Sequence, residues 1–231
     1  MSIAENIEKV EERISRACRV SGRKRGEITL AGVTKFRDLS AVNEAWNAGI
    51  RVFGESKVRE GVEKFTVFRD NHPQALVHLI GTLQRNKAKA AVGFFDCVQS
   101  VDRIELIPEL EKFAACRGKP LDILLELRTG EETKSGFQDV DSLCKAAETA
   151  LGMGNLRLTG LMTMAPLTGE QGQIRASFKR LSTARDVLEG HFPSGETCSW
   201  ACLSMGMSND FEIAVEEGAT MLRIGTAIFG N

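Results

Sequence analysis

Apolar positions at the start of the chain recur with helical spacing: Ile3, Ile7, Val10 and Ile14 lead on to Ala17 and Val20 before a basic turn at residues 21–27. The pattern predicts an amphipathic first helix. From there, short β-branched or apolar runs alternate with helical stretches. Strands are predicted at 28–35, 51–53, 76–81, 96–101, 121–128, 156–163, 200–206 and 221–225, and helices near 39–48, 57–66, 86–93, 103–117, 139–150, 170–190 and 209–217. Each helical stretch is long enough for a parallel crossover. Unbroken βα alternation with eight strands fits a closed (β/α)8 TIM barrel or an open doubly wound sheet. We favour the barrel, because the first helix can fill the outer-ring place of an eighth helix that the chain, ending at Asn231, has no room to build. No Pro-, Gly- or Ser-rich linker divides the sequence, so a single domain over residues 1–231 is expected.

Composition narrows the function classes. With 42% hydrophobic and 26% charged residues the chain reads as an ordinary globular protein. Thirty basic against 31 acidic side chains give no overall field, so neither nucleic acid nor an anionic membrane is an expected partner. No apolar stretch approaches bilayer length and the first residues lack a signal-peptide block, which predicts a cytoplasmic protein. Cys18, Cys97, Cys116, Cys144, Cys198 and Cys202 form no CxxC pair and have no histidine at ligand spacing, so buried thiols are expected and no metal site. There is no tyrosine, which removes the phenol from any acid–base mechanism.

A barrel keeps its chemistry at the C-terminal strand ends. Strand one ends in Val33-Thr34-Lys35, and a lysine drawn into the barrel mouth would be partly desolvated, which favours the neutral amine that condenses with an aldehyde. A rim lysine can equally snorkel to solvent. After strands seven and eight come Ser204-Met205-Gly206-Met207-Ser208 and Arg223-Ile224-Gly225-Thr226. Small, hydroxyl-bearing, Gly-containing loops there suit a phosphate, although glycines also simply make tight turns. Ser208, Asn209 or Asp210 can also be read as an N-cap ahead of Glu212. Amine and phosphate cradle in one mouth describe a site for a phosphorylated aldehyde, and pyridoxal 5'-phosphate is the cofactor that fits.

Several segments carry a resemblance: Val33-Thr34-Lys35, Phe53-Gly54-Glu55, His78 through Lys87, Ser100-Val101-Asp102, Glu132 through Phe137, Gly160 through Pro166, and the long block from Leu203 to Gly230. Through them the chain resembles, over nearly its whole length, the pyridoxal phosphate homeostasis proteins, also called the proline synthetase co-transcribed homologue family, whose fold is similar to the barrel domain of alanine racemase. The resemblance implies that Lys35 holds pyridoxal phosphate as a Schiff base, that Ser204, Gly225 and Thr226 hold its phosphate, and that Met205 and Gly206 line the same loop. It also implies that Arg223 faces the pyridine nitrogen; a permanent cation there keeps the ring unprotonated and makes the cofactor a weaker electron sink. Two places depart from the family pattern. Ser56-Lys57 replaces the usual Asn-Tyr, leaving Ser56 as the contact from strand two, and Phe36-Arg37-Asp38 follows the lysine where a second Lys or a Pro is common. His78 reads as a structural histidine, while Gln84, Asn86 and Lys87 belong to the pattern without an assignable role. Lys134 is either a secondary aldehyde site or a solvated lysine, and Met162 and Met164 are core or pocket wall.

Three functions remain to be separated. A racemase needs two bases on opposite faces of the substrate Cα, commonly lysine and tyrosine, and only Cys198 or Cys202 could replace the absent phenol. We therefore expect a monomeric cofactor reservoir or delivery factor without robust turnover, whose partners are the small-molecule cofactor and enzymes awaiting it. The rivals are a minor amino-acid racemase or lyase and a pure interaction protein with a vestigial pocket.

Overall fold

The computed structural model describes residues 2–131 and 135–230. Eight parallel strands, β1 (Thr29–Val33), β2 (Val52–Glu55), β3 (Leu76–Leu79), β4 (Cys97–Val101), β5 (Leu121–Glu126), β6 (Leu156–Met162), β7 (Cys198–Ser204) and β8 (Met221–Ile224), close into one barrel in sequence order. Closure is made by β1 pairing with β8, where Ala31 faces Arg223. Helix α1 (Ile3–Val20) precedes the barrel, and α2 (Leu39–Asn47), α3 (Val58–Asn71), α4 (Ala88–Phe94), α5 (Leu106–Ala114), α6 (Val140–Leu151), α7 (Gln171–His191) and α8 (Phe211–Glu216) form the crossovers. A last turn, α9 (Thr226–Phe229), follows β8.

The period of two along each strand explains the packing. One set of side chains, among them Leu30, Phe53, Val77, Val98, Ile123, Leu161 and Leu203, joins the helices in the main apolar core. The alternate set fills the barrel: Ala31, Val52, Cys202 and Met221 on one side, Cys97, Leu124 and Met162 on the other. Above these lie the polar side chains of His78, Gln99, Ser204 and Arg223, all buried.

Helix α1 buries Ile7, Val10, Ile14, Ala17 and Cys18 and packs on α2, α8 and α9, the ring position expected for it. Ser2 opens it with a capping box, accepting from the Glu5 amide at 3.2 Å while its own amide donates to Glu5 Oε2 at 2.9 Å. Val20, counted in the apolar stripe from sequence, is 73% exposed. Most strands stop short of their expected ends at the rim, β1 at Val33, β3 at Leu79 and β5 at Glu126 among them, whereas β2 runs two residues further, to Glu55. Lys35 therefore belongs to a turn, closed by the Arg37 amide donating to the Thr34 carbonyl at 3.0 Å. A helix after the last strand was not expected; the four residues of α9, bracketed by Gly225 and Gly230, are too few for periodicity to reveal.

Candidate functional site

At the C-terminal end of the barrel lies a cavity of about 520 Å³. Lys35 and Ser56 line it from the β1 and β2 side, Arg223, Gly225 and Thr226 from β8, and Met207, Ser208 and Asn209 from the loop after β7. The amine, the guanidinium and the hydroxyl-rich loops thus meet in one space. Lys35 is exposed, which corrects the expectation of a desolvated amine: the residue stands in a rim turn above the last ladder bond, where the chain alone does not exclude water. Its neighbour Phe36 has φ +62° and is 76% exposed. Lys57 Nζ sits 5.4 Å from the Phe36 ring centre, so the two departures from the family pattern touch one another. Ser56 is held against β3, where Gly81 allows its carbonyl to approach; a Cβ on Gly81 would collide with it.

Arg223 is buried at the floor of the cavity and is anchored from below. It donates to Ser204 Oγ at 2.6 Å and to the Thr163 carbonyl at 2.7 Å. Ser204 in turn donates to Gln99 Oε1 at 2.6 Å, and Gln99 Nε2 lies 2.8 Å from His78 Nδ1. The Gln99 amide donates in that last contact, so Nδ1 is an acceptor and His78 is neutral. Burial pulls His78 down to about 4, and burial pulls Arg223 down to about 10, offset by the negative charges of Glu126 and Asp210, so Arg223 stays a cation at neutral pH. His78 is thus a satisfied core histidine.

Ser204, Met205 and Gly206 are not among the residues that line the cavity. Ser204 points into the barrel with its hydroxyl spent on Gln99 and Arg223. Met205 is in the apolar core, and Gly206, at φ +94°, makes a turn in which a Cβ would lie 2.6 Å from Ala214 Cβ. Ser208, half-buried four residues after Ser204, lines the cavity and is not the cap of α8. The cap position belongs to Asp210, whose Oδ1 accepts from the Met207 amide at 2.6 Å. Ser208 Oγ instead accepts from the Ala227 amide at 3.1 Å, fastening the loop to the start of α9. Thr226 is the first residue of that turn.

Glu126 was overlooked in the sequence. It ends β5, on the wall opposite β1, and is buried where it lines the cavity. Burial, reinforced by the negative charge of Asp102, pushes its carboxyl up to about 7. A charged residue closing an apolar strand was the signal that could have found it. Met164 is cavity wall and Met162 is barrel core. Gln84, Asn86 and Lys87 are exposed and away from the cavity lining, and Lys134 lies outside the described residues. Cys198 and Cys202 do not line the cavity; burial pushes the Cys202 thiol up to about 12, so it is no base at neutral pH.

The family model for the alanine racemase N-terminal domain matches residues 2–231. The chain is 36% identical to the pyridoxal phosphate homeostasis protein of Aquifex aeolicus, covering 100% of this chain and 99% of that one. It is 38% identical to the protein of the same name from Vibrio cholerae, over 100% and 96%. The chain belongs to the pyridoxal phosphate homeostasis protein family. Among solved structures, PipY of Synechococcus elongatus with pyridoxal phosphate bound superposes with a TM-score of 0.85 at 31% identity, over 99% of this chain and 100% of that one. Alanine racemase of Clostridium difficile superposes with a TM-score of 0.70 at 14% identity, over 95% of this chain and 55% of the racemase, a likeness of fold. The homeostasis-protein family thus carries the racemase barrel, as the sequence segments implied.

Proposed function

We propose that this chain binds pyridoxal 5'-phosphate covalently through Lys35 and serves as an intracellular reservoir or delivery factor for it. The observation that carries the proposal is the meeting of Lys35, the buried cation of Arg223 and the Ser208–Thr226 loops around one cavity. Each part fits a part of the cofactor. Lys35 meets the aldehyde. The Ser208 hydroxyl and the Thr226 amide, with the Gly225 backbone beside them, meet the phosphate. Arg223, held by Ser204 and Thr163, presents its remaining N–H groups to the ring nitrogen and keeps that nitrogen unprotonated. Ser204 serves the site by holding Arg223, and Met205 and Gly206 serve it by shaping the loop beneath. The cofactor itself supplies an aldehyde that condenses with amines and a ring that withdraws electrons. The names of the curated relatives and the cofactor in the PipY structure support the same reading.

The proposal includes little turnover. The sequence has no tyrosine, and Cys202 is too weak an acid to stand in. We place the protein in the cytoplasm as a monomer whose recipients are enzymes that require the cofactor, with neither nucleic acid nor membrane as partner. A near-neutral charge supports this, and no described helix is long and apolar enough to cross a membrane. The test is a titration of protein with pyridoxal phosphate, followed by visible absorbance and equilibrium dialysis. Wild type is expected to develop an absorbance band and retain one cofactor per chain, and Lys35→Ala to lose the band. A colourless wild type would overturn the proposal in favour of an interaction protein.

Glu126 favours a second reading, amino-acid racemisation or lysis at low rate, because a carboxyl near 7 on the wall opposite Lys35 is suited to proton transfer. That reading requires deuterium uptake at the amino-acid α-carbon that disappears in Glu126→Gln.

A further inference from the structure

Lys35 and Ser56 stand on separate loops, and one buried polar cluster holds both from behind. Thr34 and Glu55, the residues immediately before them, are fully buried. The Thr34 hydroxyl donates to Glu55 Oε1 at 2.6 Å. Lys64, on α3, donates from Nζ to the same Glu55 oxygen at 2.8 Å and to the Thr34 carbonyl at 2.6 Å. That carbonyl is also the acceptor that closes the Lys35 turn, and the Thr34 amide donates to the Gly54 carbonyl at 3.1 Å. One ammonium, 12% exposed, therefore ties together the turn after β1, the end of β2 and helix α3.

A buried ion pair is poor evidence of stabilisation, because removing both charges from water offsets their attraction. This pair is not arranged for stability alone. Glu55 Oε2 is buried without a partner among the described residues, while Oε1 accepts both bonds. The carboxylate thus holds the ammonium against the Thr34 carbonyl. The turn needs such a hold, since Phe36 adopts the left-handed backbone that side chains other than glycine resist.

We propose that Lys64 is a positioning residue for Lys35: through the Thr34 carbonyl and Glu55 it fixes the rim turn, so that the Lys35 amine is presented to the cavity. The inference rests on the cofactor reading above. The test compares wild type, Lys64→Arg, and the double variant Lys64→Met/Glu55→Gln, which leaves no unpaired buried charge and keeps an oxygen for the Thr34 hydroxyl. Two quantities are measured: hydrogen exchange at the Thr34 and Arg37 amides of the cofactor-free protein, and the rate at which added pyridoxal phosphate forms a borohydride-trappable adduct on Lys35. In the double variant we expect a melting temperature close to wild type, exchange at those two amides at least tenfold faster, and adduct formation about tenfold slower. Lys64→Arg should restore much of both. A double variant with exchange and adduct rates like wild type, whatever its melting temperature, overturns the inference. If wild type forms no adduct on Lys35, the cofactor reading has failed; hydrogen exchange then decides the clamp alone, with unchanged amides refuting it.

Discussion

Ser204 ends β7 and Ser208 lies four residues on in the loop that follows, and the structure gives them opposite work, which a pair of alanine substitutions separates. Ser204 Oγ is fully buried between Gln99 and Arg223. Ser204→Ala removes one hydrogen bond from a charged donor and one to a neutral acceptor, and leaves the Gln99 oxygen and an Arg223 N–H unmatched inside the barrel. A charged-group bond contributes about 1.5–3 kcal/mol and a neutral one about 1 kcal/mol, with part of the loss recovered by relaxation, so we expect roughly 2–4 kcal/mol of destabilisation. In a chain of this size that lowers the melting temperature by roughly 5–15 °C. Ser208 is half-buried and accepts one amide bond; Ser208→Ala should cost at most about 1 kcal/mol of stability. Its effect falls on the cofactor, where loss of a hydroxyl bond to a phosphate lowers affinity about ten- to a hundredfold. Urea unfolding of the cofactor-free protein and equilibrium dialysis of pyridoxal phosphate measure the two quantities. Unchanged stability in Ser204→Ala, or cofactor binding as tight as wild type in Ser208→Ala, would rule out this division of roles.

Other expectations follow from single positions. Gly160 lies in β6 at φ +148°, where a Cβ would run into the Cys202 carbonyl of the neighbouring strand; Gly160→Ala should fold poorly, read as loss of a cooperative thermal transition. Glu126 keeps its proton up to about pH 7 in the folded protein, whereas the unfolded carboxyl releases it near 4.5. The burial penalty therefore grows as pH rises from 4.5 to 7, and Glu126→Gln should gain stability relative to wild type across that window, up to roughly 3 kcal/mol, measured by urea unfolding at each pH. Iodoacetamide at pH 8 should modify the exposed Cys116 rapidly and leave Cys202 intact, as intact mass and peptide mapping would register.

The eightfold βα alternation was legible because periods of two and 3.6 switch sharply along the chain, and so was the place of α1, whose buried stripe Ile7–Val10–Ile14 matches its spacing. The rim was less legible. Val33-Thr34-Lys35 continues the character of β1, yet the ladder with β2 ends where Val33 meets Gly54, so a residue counted as strand is the exposed tip of a turn. Ser204 could have been placed by parity: it follows Cys202 by two on β7, and both point into the barrel. The hydroxyls of Ser204 and Ser208 look alike in the sequence, and only the third dimension shows that Ser204 is buried between Gln99 and Arg223 while Ser208 lines the cavity. Glu126 was missed for a related reason, since burial raises its pKa and burial of a strand-end side chain depends on what the opposite wall provides.

The cofactor reading stands or falls on whether Lys35 takes the aldehyde. Incubation with pyridoxal phosphate, borohydride reduction and peptide mapping by mass spectrometry test it most directly. One pyridoxyl group per chain is expected, carried on Lys35 and absent from Lys35→Ala; a wild-type chain that stays unmodified, or that carries the group chiefly on another lysine, rules this assignment out.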